Sequence, residues 1–210
     1  MFPPLYAILD PALSPTSVTD LASQLADSGV TLIQLRDKLG SPAQILSTAR
    51  QLAAALASKD VRFILNDRPD IASMADAGGV HVGQEDLPVE DARRICGSKR
   101  WVGVSTHNLH QLREAAATSA DYIAIGPIFP TSTKENPDPV VGLDFIRAAR
   151  QITRKPLVAI GGITLESAGE VFRAGADSVA IIRDLASAKN PAARAQEFLA
   201  VAEKSRASRG

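Results

Sequence analysis

The chain has 210 residues, and its 23 Lys and Arg residues balance 23 Asp and Glu residues. This length and composition are typical of one soluble globular domain. The formal net charge of zero argues against a protein whose whole surface binds nucleic acid or acidic lipid, because both partners require clustered positive charge. A local basic pocket for a small anion is compatible with this balance.

Cysteine content and the distribution of apolar residues limit the location of the protein. Cys96 is the only cysteine, which excludes an intrachain disulfide and a cysteine-rich zinc site and is typical of a reducing compartment. The start of the chain lacks the features of a secretory signal, and no run of about 18 apolar residues occurs. We therefore expect a cytoplasmic protein without a transmembrane helix.

Eight short apolar runs alternate with longer segments whose apolar residues recur at helical spacing. The runs predict strands over residues 5–9, 31–35, 63–65, 80–82, 101–104, 122–125, 157–160 and 178–182. Val18, Leu21, Ala22 and Leu25 mark one of the amphipathic helices between them. This alternation predicts an α/β protein with a parallel sheet, and about 26 residues per unit fits a single-domain (β/α)8 barrel, the TIM-barrel fold. An open doubly wound sheet is the alternative.

Glycine and proline predict where the helices end and begin. Gly29, Gly78 and Gly175 each precede an apolar run and are predicted to take the left-handed conformation that ends a helix. The prolines predicted near helix starts, where a missing N–H group costs little, are Pro42, Pro69, Pro88 and Pro191. The barrel domain is predicted over residues 1–204, and residues 205–210 are predicted to fray.

The second strand ends in alternating polar residues, at the end of the barrel where this fold carries its chemistry. Gln34, Arg36 and Lys38 are spaced by two, so their side chains point in one direction while Ile33 and Leu35 face the helices. An amide and two cations on one side predict an anion site. A solvent-exposed strand end is the alternative.

Carboxylates follow the third and fourth strands. Asp67 and Asp86 follow adjacent strands and are expected to lie next to Gln34, Arg36 and Lys38 at the end of the second strand. Mg²⁺ takes oxygen ligands and is often held by one or two carboxylates together with water and phosphate oxygens. The two aspartates therefore predict a divalent cation site. Helix capping is the alternative, because each stands just before a predicted helix.

The fifth and sixth strands are followed by hydroxyl, imidazole and ammonium groups. Those residues are Ser105 and His107 after the fifth strand and Thr131, Ser132, Thr133 and Lys134 after the sixth. Hydroxyls and an ammonium suit phosphate oxygens, and a long loop at this end of a barrel often acts as a lid. A plain polar surface loop is the alternative, and His107 is either a general base or a neighbour of a helix start.

The last two strands end in groups that suit a phosphate. Gly161 and Gly162 would let a ligand approach the backbone closely, and Ile182 and Arg183 follow the eighth strand. The loops after strands seven and eight, with a short helix start, form the usual phosphate site of such barrels. For the glycine pair, a simple turn is the alternative.

Seven segments, in the same order, resemble the thiamine phosphate synthase (thiamine-phosphate pyrophosphorylase) family. They are Gln34-Leu-Arg-Asp-Lys38, Leu65-Asn-Asp-Arg68, Gly79-Val-His-Val-Gly-Gln-Glu-Asp-Leu-Pro88, Gly103-Val-Ser-Thr-His107, Gly126-Pro-Ile-Phe-Pro-Thr-Ser-Thr-Lys134, Ala159-Ile-Gly-Gly-Ile163 and Gly175-Ala-Asp177. The resemblance implies a transferase of thiamine biosynthesis. Such an enzyme joins 4-amino-5-hydroxymethyl-2-methylpyrimidine diphosphate to 4-methyl-5-(2-phosphoethyl)thiazole and releases diphosphate.

The same resemblance implies a role for each candidate residue. The pyrimidine diphosphate would be held by Gln34, Arg36, Lys38, Asn66, Ser105 and Lys134, of which Arg36, Ser105 and Lys134 would be catalytic. One Mg²⁺ per active site would be bound by Asp67 and Asp86. The thiazole phosphate would contact Thr131, Thr133, Gly162, Ile182 and Arg183. Arg183 departs from the family, in which many members carry a small serine at this position.

The mechanism implied by the resemblance is dissociative. Diphosphate leaves, a pyrimidine methyl cation forms, and the thiazole nitrogen attacks it. The sequence agrees with this chemistry, because it offers cations, hydroxyls and a carboxylate pair but no clear Ser-His-Asp or Cys-His set. Catalysis would then depend on electrostatic stabilisation of the leaving diphosphate.

Two other functions are compatible with the fold. A thiazole tautomerase shares the barrel and several motifs and would use His107 as its acid–base residue, but it typically lacks the metal-binding aspartates. A non-catalytic protein that binds a thiamine precursor would need neither metal nor turnover. Asp67, Asp86 and the complete segment 131–134 favour the synthase. The expected partners are small-molecule substrates, not nucleic acid or membranes, and the sequence leaves open whether the chain forms a homo-oligomer.

Overall fold

A computed structural model describes residues 1–14, 16–131 and 138–207 of the chain. Its strands are β1 Leu5–Leu9, β2 Leu32–Leu35, β3 Arg62–Asn66, β4 Gly79–Val82, β5 Trp101–Thr106, β6 Tyr122–Ile125, β7 Leu157–Ile160 and β8 Ser178–Ile181. They pair in parallel and in chain order, and β1 also pairs with β8, which closes the barrel. The predicted (β/α)8 barrel is confirmed, and the open sheet is excluded.

Helices follow the strands and cover the outside of the barrel. They are α1 Val18–Asp27, α2 Pro42–Leu56, α3 Pro69–Met74, α4 Val89–Cys96, α5 Leu109–Ala117, α6 Gly142–Ile152, α7 Leu165–Ala174, α8 Arg183–Ala186 and α9 Pro191–Ala207. The short helix α8 starts directly after β8, and α9 packs against α1 and α7. Within the described part of the chain, no helix is both long and apolar enough to cross a membrane.

Side-chain alternation along the strands divides the core into two layers. Leu5 and Leu9 of β1 pack against the helices, whereas Tyr6 and Ile8 of the same strand point into the barrel. Other members of the inner layer are Leu32, Ile64, Tyr122, Ala124, Val158 and Ala180. Ile33 and Leu35 belong to the helix-facing layer, as predicted. Gln34 between them is therefore directed into the barrel.

The predicted strand ends differ from the observed ones by at most two residues. Gly29 and Gly175 take the left-handed conformation, with φ of 100° and 125°, as predicted. The prediction for Gly78 is wrong, because Asp76 takes the left-handed conformation after α3, with φ of 53°. Gly78 instead packs closely against β3, since a Cβ there would lie 3.1 Å from the Arg62 side chain and 3.2 Å from the Phe63 carbonyl oxygen.

The C-terminal helix continues past residue 204, where the domain was predicted to end. The Arg206 guanidinium donates to the carbonyl oxygens of Asp177 at 2.7 Å and Phe2 at 3.1 Å, and Ser205 is buried. These contacts attach the last turn to the start of the barrel, so residues 205–207 are helical and differ from the predicted frayed tail. Residues 208–210 lie outside the described range.

Candidate active site

The C-terminal ends of the strands open into a cavity of about 870 Å³. The predicted site residues that line it are Gln34, Arg36, Lys38, Asn66, Asp67, Asp86, Ser105, Thr131, Gly162, Ile182 and Arg183. Thr133 and Lys134 lie outside the described residues. A second cavity, of about 800 Å³, lies at the opposite end of the barrel and is lined by other residues, including Arg62 and Trp101. The fold thus gathers candidates that are far apart in the chain.

The end of β2 carries two polar side chains that are held by protein groups. The Gln34 amide is buried and donates to the Tyr6 hydroxyl at 2.6 Å inside the barrel. The Arg36 guanidinium donates to the buried Asp10 carboxylate at 2.5 Å. Sequence reasoning missed Asp10, although an acidic residue directly after the apolar run of β1 was the signal. These contacts argue against the alternative interpretation, in which Gln34 and Arg36 belong only to a solvent-exposed strand end.

The two predicted metal ligands lie side by side. Asp67 has a left-handed backbone with φ of 61°, and its N–H group donates to the His81 carbonyl oxygen at 2.7 Å. The Asp86 carboxylate accepts the N–H group of Gly83 at 2.7 Å and lies close enough to Asp67 to raise the pKa of that carboxyl group. Lys38 forms an ion pair with Asp67. The predicted anion-binding residues after β2 therefore lie next to the predicted metal ligands after β3 and β4.

The electrostatics of this pair fit a bound cation. Burial raises the pKa of Asp67, the hydrogen bond from Lys38 opposes this, and the Asp86 carboxylate raises the pKa further. Helix capping has no support, because the residues before α3 and α4 are Arg68 and Pro88 and neither makes a side-chain cap. In the described ranges, no group of three or more His, Cys, Asp and Glu side chains forms a metal site. Two carboxylates suit Mg²⁺, which takes water and phosphate oxygens as its other ligands.

His81 and Ser105 form a pair that sequence reasoning missed. The imidazole Nε2 lies 2.8 Å from the Ser105 Oγ, and Nδ1 lies 3.0 Å from the Tyr122 hydroxyl. Burial lowers the pKa of His81 to about 4, so the ring is neutral at pH 7. The alternation Val80-His81-Val82 was the available signal for an inward side chain. The pair differs from a Ser-His-Asp set, because a tyrosine hydroxyl occupies the place of the carboxylate.

His107 lies at the edge of the cavity. Its Nδ1 is 2.7 Å from the Gly126 carbonyl oxygen, and its Nε2 is 3.5 Å from the Asp138 carboxylate. Its backbone N–H donates to the side chain of Gln111, and the adjacent Asn108 caps α5. These contacts support the interpretation of His107 as a neighbour of a helix start.

The described candidates for the thiazole phosphate line the wall formed by the loops after β6, β7 and β8. Gly162 has φ of 64°, and a Cβ there would lie 2.4 Å from the Pro130 carbonyl oxygen. Glycine therefore lets the loops after β6 and β7 touch, which brings Thr131 into the cavity lining. Ile182 and Arg183, at the start of α8, line the same cavity.

A match to a protein-family model identifies the family of the chain. The model described as thiamine monophosphate synthase matches residues 5–185. The chain belongs to the thiamine monophosphate synthase family. All eight strands lie within the matched range, so the whole barrel is a thiamine monophosphate synthase barrel.

Individual relatives in this family are similar over nearly all of their lengths. The thiamine-phosphate synthase of Koribacter versatilis is 53% identical over 204 residues, which cover 95% of each chain. That of Shouchella clausii is 40% identical over 200 residues, which cover 95% of this chain and 96% of the relative. The solved thiamine phosphate pyrophosphorylase from Pyrococcus furiosus has a TM-score of 0.87 at 31% identity, with 96% of both chains covered.

These comparisons confirm the predicted family, the fold and the activity of a thiamine phosphate synthase, a transferase that acts on small molecules. The named relatives favour the synthase over the tautomerase and over a binding protein without turnover.

Proposed function

We propose that the chain transfers the (4-amino-2-methylpyrimidin-5-yl)methyl group of 4-amino-5-hydroxymethyl-2-methylpyrimidine diphosphate to the nitrogen of 4-methyl-5-(2-phosphoethyl)thiazole, with release of diphosphate. One observation carries the proposal: the basic end of β2 meets the carboxylate pair after β3 and β4, where Lys38 and Asp67 form an ion pair. A diphosphate that binds through a divalent cation needs positive groups and metal-binding carboxylates side by side.

Four side chains of the cavity would bind the diphosphate directly. Arg36 and Lys38 are charged donors, which make shorter and stronger hydrogen bonds to anionic oxygens than neutral donors do. Asn66 and Ser105 would add neutral donors from the ends of β3 and β5. Gln34 lies deeper, and its amide already donates to Tyr6, so we place it at the inner end of this substrate.

Asp67 and Asp86 would hold one Mg²⁺ against the diphosphate. When bound, this cation neutralises negative charge that builds on the leaving group. Lys38, which pairs with Asp67, would then be shared between the carboxylate and the diphosphate.

The opposite wall of the cavity would bind the thiazole phosphate. Thr131 would donate its hydroxyl, the backbone at Gly162 and Ile182 would approach the phosphate, and Arg183 would add a cation. Sequence resemblance adds Thr133 to this group. The two substrates would thus enter one cavity from separate walls, with the reacting carbon and nitrogen between them.

The described residues support a dissociative step rather than covalent catalysis. Cleavage of the bond to diphosphate would leave a pyrimidine methyl cation, and the thiazole nitrogen would form the new carbon–nitrogen bond. Arg36, Lys38 and Ser105 would stabilise the departing charge. In this mechanism the neutral His81 and the Ser105 hydroxyl stay hydrogen-bonded to each other, and Ser105 does not act as a nucleophile.

The proposal is tested by following thiamine phosphate and diphosphate together from both substrates. We expect equal amounts of the two products with Mg²⁺ and a rate near zero with a chelator. Restoration of the rate by added Mg²⁺ controls for damage by the chelator. An unchanged rate of product formation in the presence of the chelator would contradict the metal proposal. Folded protein that forms no product would instead favour the tautomerase or the binding protein.

Lys134→Ala is expected to impair the pyrimidine diphosphate reaction more than the binding of thiazole phosphate. Loss of one charged donor to the leaving group should lower kcat by about 100-fold. Lys99→Ala is the matched control, because Lys99 is exposed at the opposite end of the barrel. Steady-state rates with each substrate varied in turn measure both effects. A larger loss of thiazole phosphate affinity would move Lys134 to the other pocket.

We also propose a cytoplasmic location, which the single cysteine supports. The assembly state stays an open prediction, and sedimentation of the purified protein would determine whether a homo-oligomer forms.

A further inference from the structure

Five side chains form a continuous hydrogen-bonded chain across the inside of the barrel. Gln34 Nε2 is 2.6 Å from the Tyr6 hydroxyl, which is 2.9 Å from the Tyr122 hydroxyl. The Tyr122 hydroxyl is 3.0 Å from His81 Nδ1, and His81 Nε2 is 2.8 Å from Ser105 Oγ. The two end members of this hydrogen-bonded series, Gln34 and Ser105, line the cavity.

The first member fixes the direction of every later hydrogen bond. The Gln34 amide nitrogen can only donate, so the Tyr6 oxygen accepts. The Tyr6 hydroxyl is buried, and its other hydrogen-bond partner is the Tyr122 hydroxyl, so the Tyr122 oxygen is the acceptor for its single hydrogen. The hydrogen of Tyr122 is then directed to His81 Nδ1. A neutral imidazole that accepts at Nδ1 carries its hydrogen on Nε2, which donates to Ser105 Oγ.

We infer that Tyr122 and His81 are positioning residues that keep the Ser105 hydroxyl hydrogen directed into the cavity. An Oγ that accepts from His81 has its own hydrogen available for a ligand. The opposite direction would point this hydrogen at His81 and present only lone pairs to an anion. This inference rests on the proposed role of Ser105 as a donor to the diphosphate.

The surrounding packing holds the chain in this arrangement. A Cβ at Gly103 would lie 2.1 Å from the Tyr122 ring, so glycine at this position makes room for the tyrosine. The Phe2 ring lies 5.4 Å from the Tyr122 ring and stacks on Trp101 at 5.3 Å. The aromatic layer below the chain therefore restricts the Tyr122 ring, and the Tyr122 hydroxyl is buried with it.

The tautomer of His81 is measured directly by ¹⁵N NMR of protein labelled at histidine. The chain has three histidines, and the signal lost in His81→Gln identifies His81. We expect hydrogen on Nε2 and none on Nδ1, together with a slowly exchanging Nε2 hydrogen. Hydrogen on Nδ1 would overturn the inference without any measurement of activity.

Two substitutions at position 81 separate a positioning role from a structural one. The glutamine amide nitrogen reaches about as far as Nε2, so His81→Gln can still donate to Ser105. The asparagine amide reaches only about as far as Nδ1, so His81→Asn leaves Ser105 without this donor. We expect His81→Asn to lower kcat with the pyrimidine diphosphate about tenfold or more and to weaken binding of inorganic diphosphate with Mg²⁺, with little change in KM for thiazole phosphate. His81→Gln should stay within about threefold of the unsubstituted protein.

A double-mutant cycle completes the test. In a Ser105→Ala background, His81→Asn should have no further effect, because the hydroxyl on which it acts is gone. Equal losses in the two variants at position 81, or additive losses in the cycle, would overturn the inference. An unsubstituted protein that neither turns over nor binds diphosphate would overturn the proposed function instead. The tautomer measurement would still decide the direction of the hydrogen bonds from Gln34 to Ser105. If His81→Asn fails to fold, that same measurement decides.

Discussion

Asp67→Asn is expected to remove nearly all thiamine phosphate formation while the protein stays folded. The substitution replaces one of the two carboxylates proposed to hold Mg²⁺ with a neutral amide, which is a weaker ligand for a hard cation. Loss of charge stabilisation on the leaving diphosphate should lower kcat/KM on the order of 100-fold, or about 3 kcal/mol. Initial rates over a series of Mg²⁺ concentrations measure this loss, and the remaining activity should need more Mg²⁺.

Asparagine is a better test than alanine because the Asp67 backbone is left-handed, with φ of 61°. Asparagine adopts this conformation readily, whereas alanine there costs about 1 kcal/mol or more. Because the folded-state pKa of Asp67 is raised, stability falls as pH rises through that pKa, and a neutral amide avoids this loss at neutral pH. The melting temperature of Asp67→Asn without Mg²⁺ should therefore equal or exceed that of the unsubstituted protein. Mg²⁺ with diphosphate should raise the melting temperature of the unsubstituted protein more than that of Asp67→Asn at the same concentrations.

Asp76→Asn is the matched control for this substitution. Asp76 also has a left-handed backbone, with φ of 53°, and it pairs with Arg100 at the opposite end of the barrel. Its replacement should leave the rate and the Mg²⁺ dependence unchanged. Normal turnover by Asp67→Asn, or equal losses in both variants, would contradict the assignment of Asp67 to the metal.

The parts of the fold that depend on local patterns could be predicted from the sequence. Apolar runs separated by amphipathic segments set the order of strands and helices, and parallel order places the ends of all strands at one face. That rule is why Gln34, Asp67 and Ser105 could be assigned to one cavity although they lie far apart in the chain. The alternation along β2 also predicted which side of the strand Ile33 and Leu35 occupy.

The features that the sequence did not reveal depend on partners from other strands. Asp10 matters because Arg36 from the next strand reaches it, and His81 matters because Tyr122 and Ser105 meet its two nitrogens. Neither residue belongs to a local pattern with its partner. The wrong prediction for Gly78 has a similar cause, because its close contacts are with residues of β3 and not with its own helix, and Asp76 takes the left-handed conformation.

Arg36→Gln is expected to lower both activity and stability, for two separable reasons. Removal of a charged donor to the leaving diphosphate should lower kcat/KM about 100-fold. The Asp10 carboxylate, which is 7% exposed, would also lose its 2.5 Å partner. Loss of one partner of a fully buried pair costs about 3–5 kcal/mol, and because the Arg36 side chain is 22% exposed we expect a smaller loss of about 2 kcal/mol.

A double variant separates the two effects. Asp10→Asn combined with Arg36→Gln removes the unpaired buried charge, and the asparagine oxygen can still accept the Ala12 N–H group that Asp10 accepts at 3.0 Å. Urea unfolding of the double variant should therefore recover most of the stability that Arg36→Gln loses, because a neutral pair leaves no uncompensated charge. Its activity should stay as low as that of Arg36→Gln, because the guanidinium is still absent. Recovery of turnover together with stability would mean that Arg36 supports the fold through Asp10 and does not contact the diphosphate.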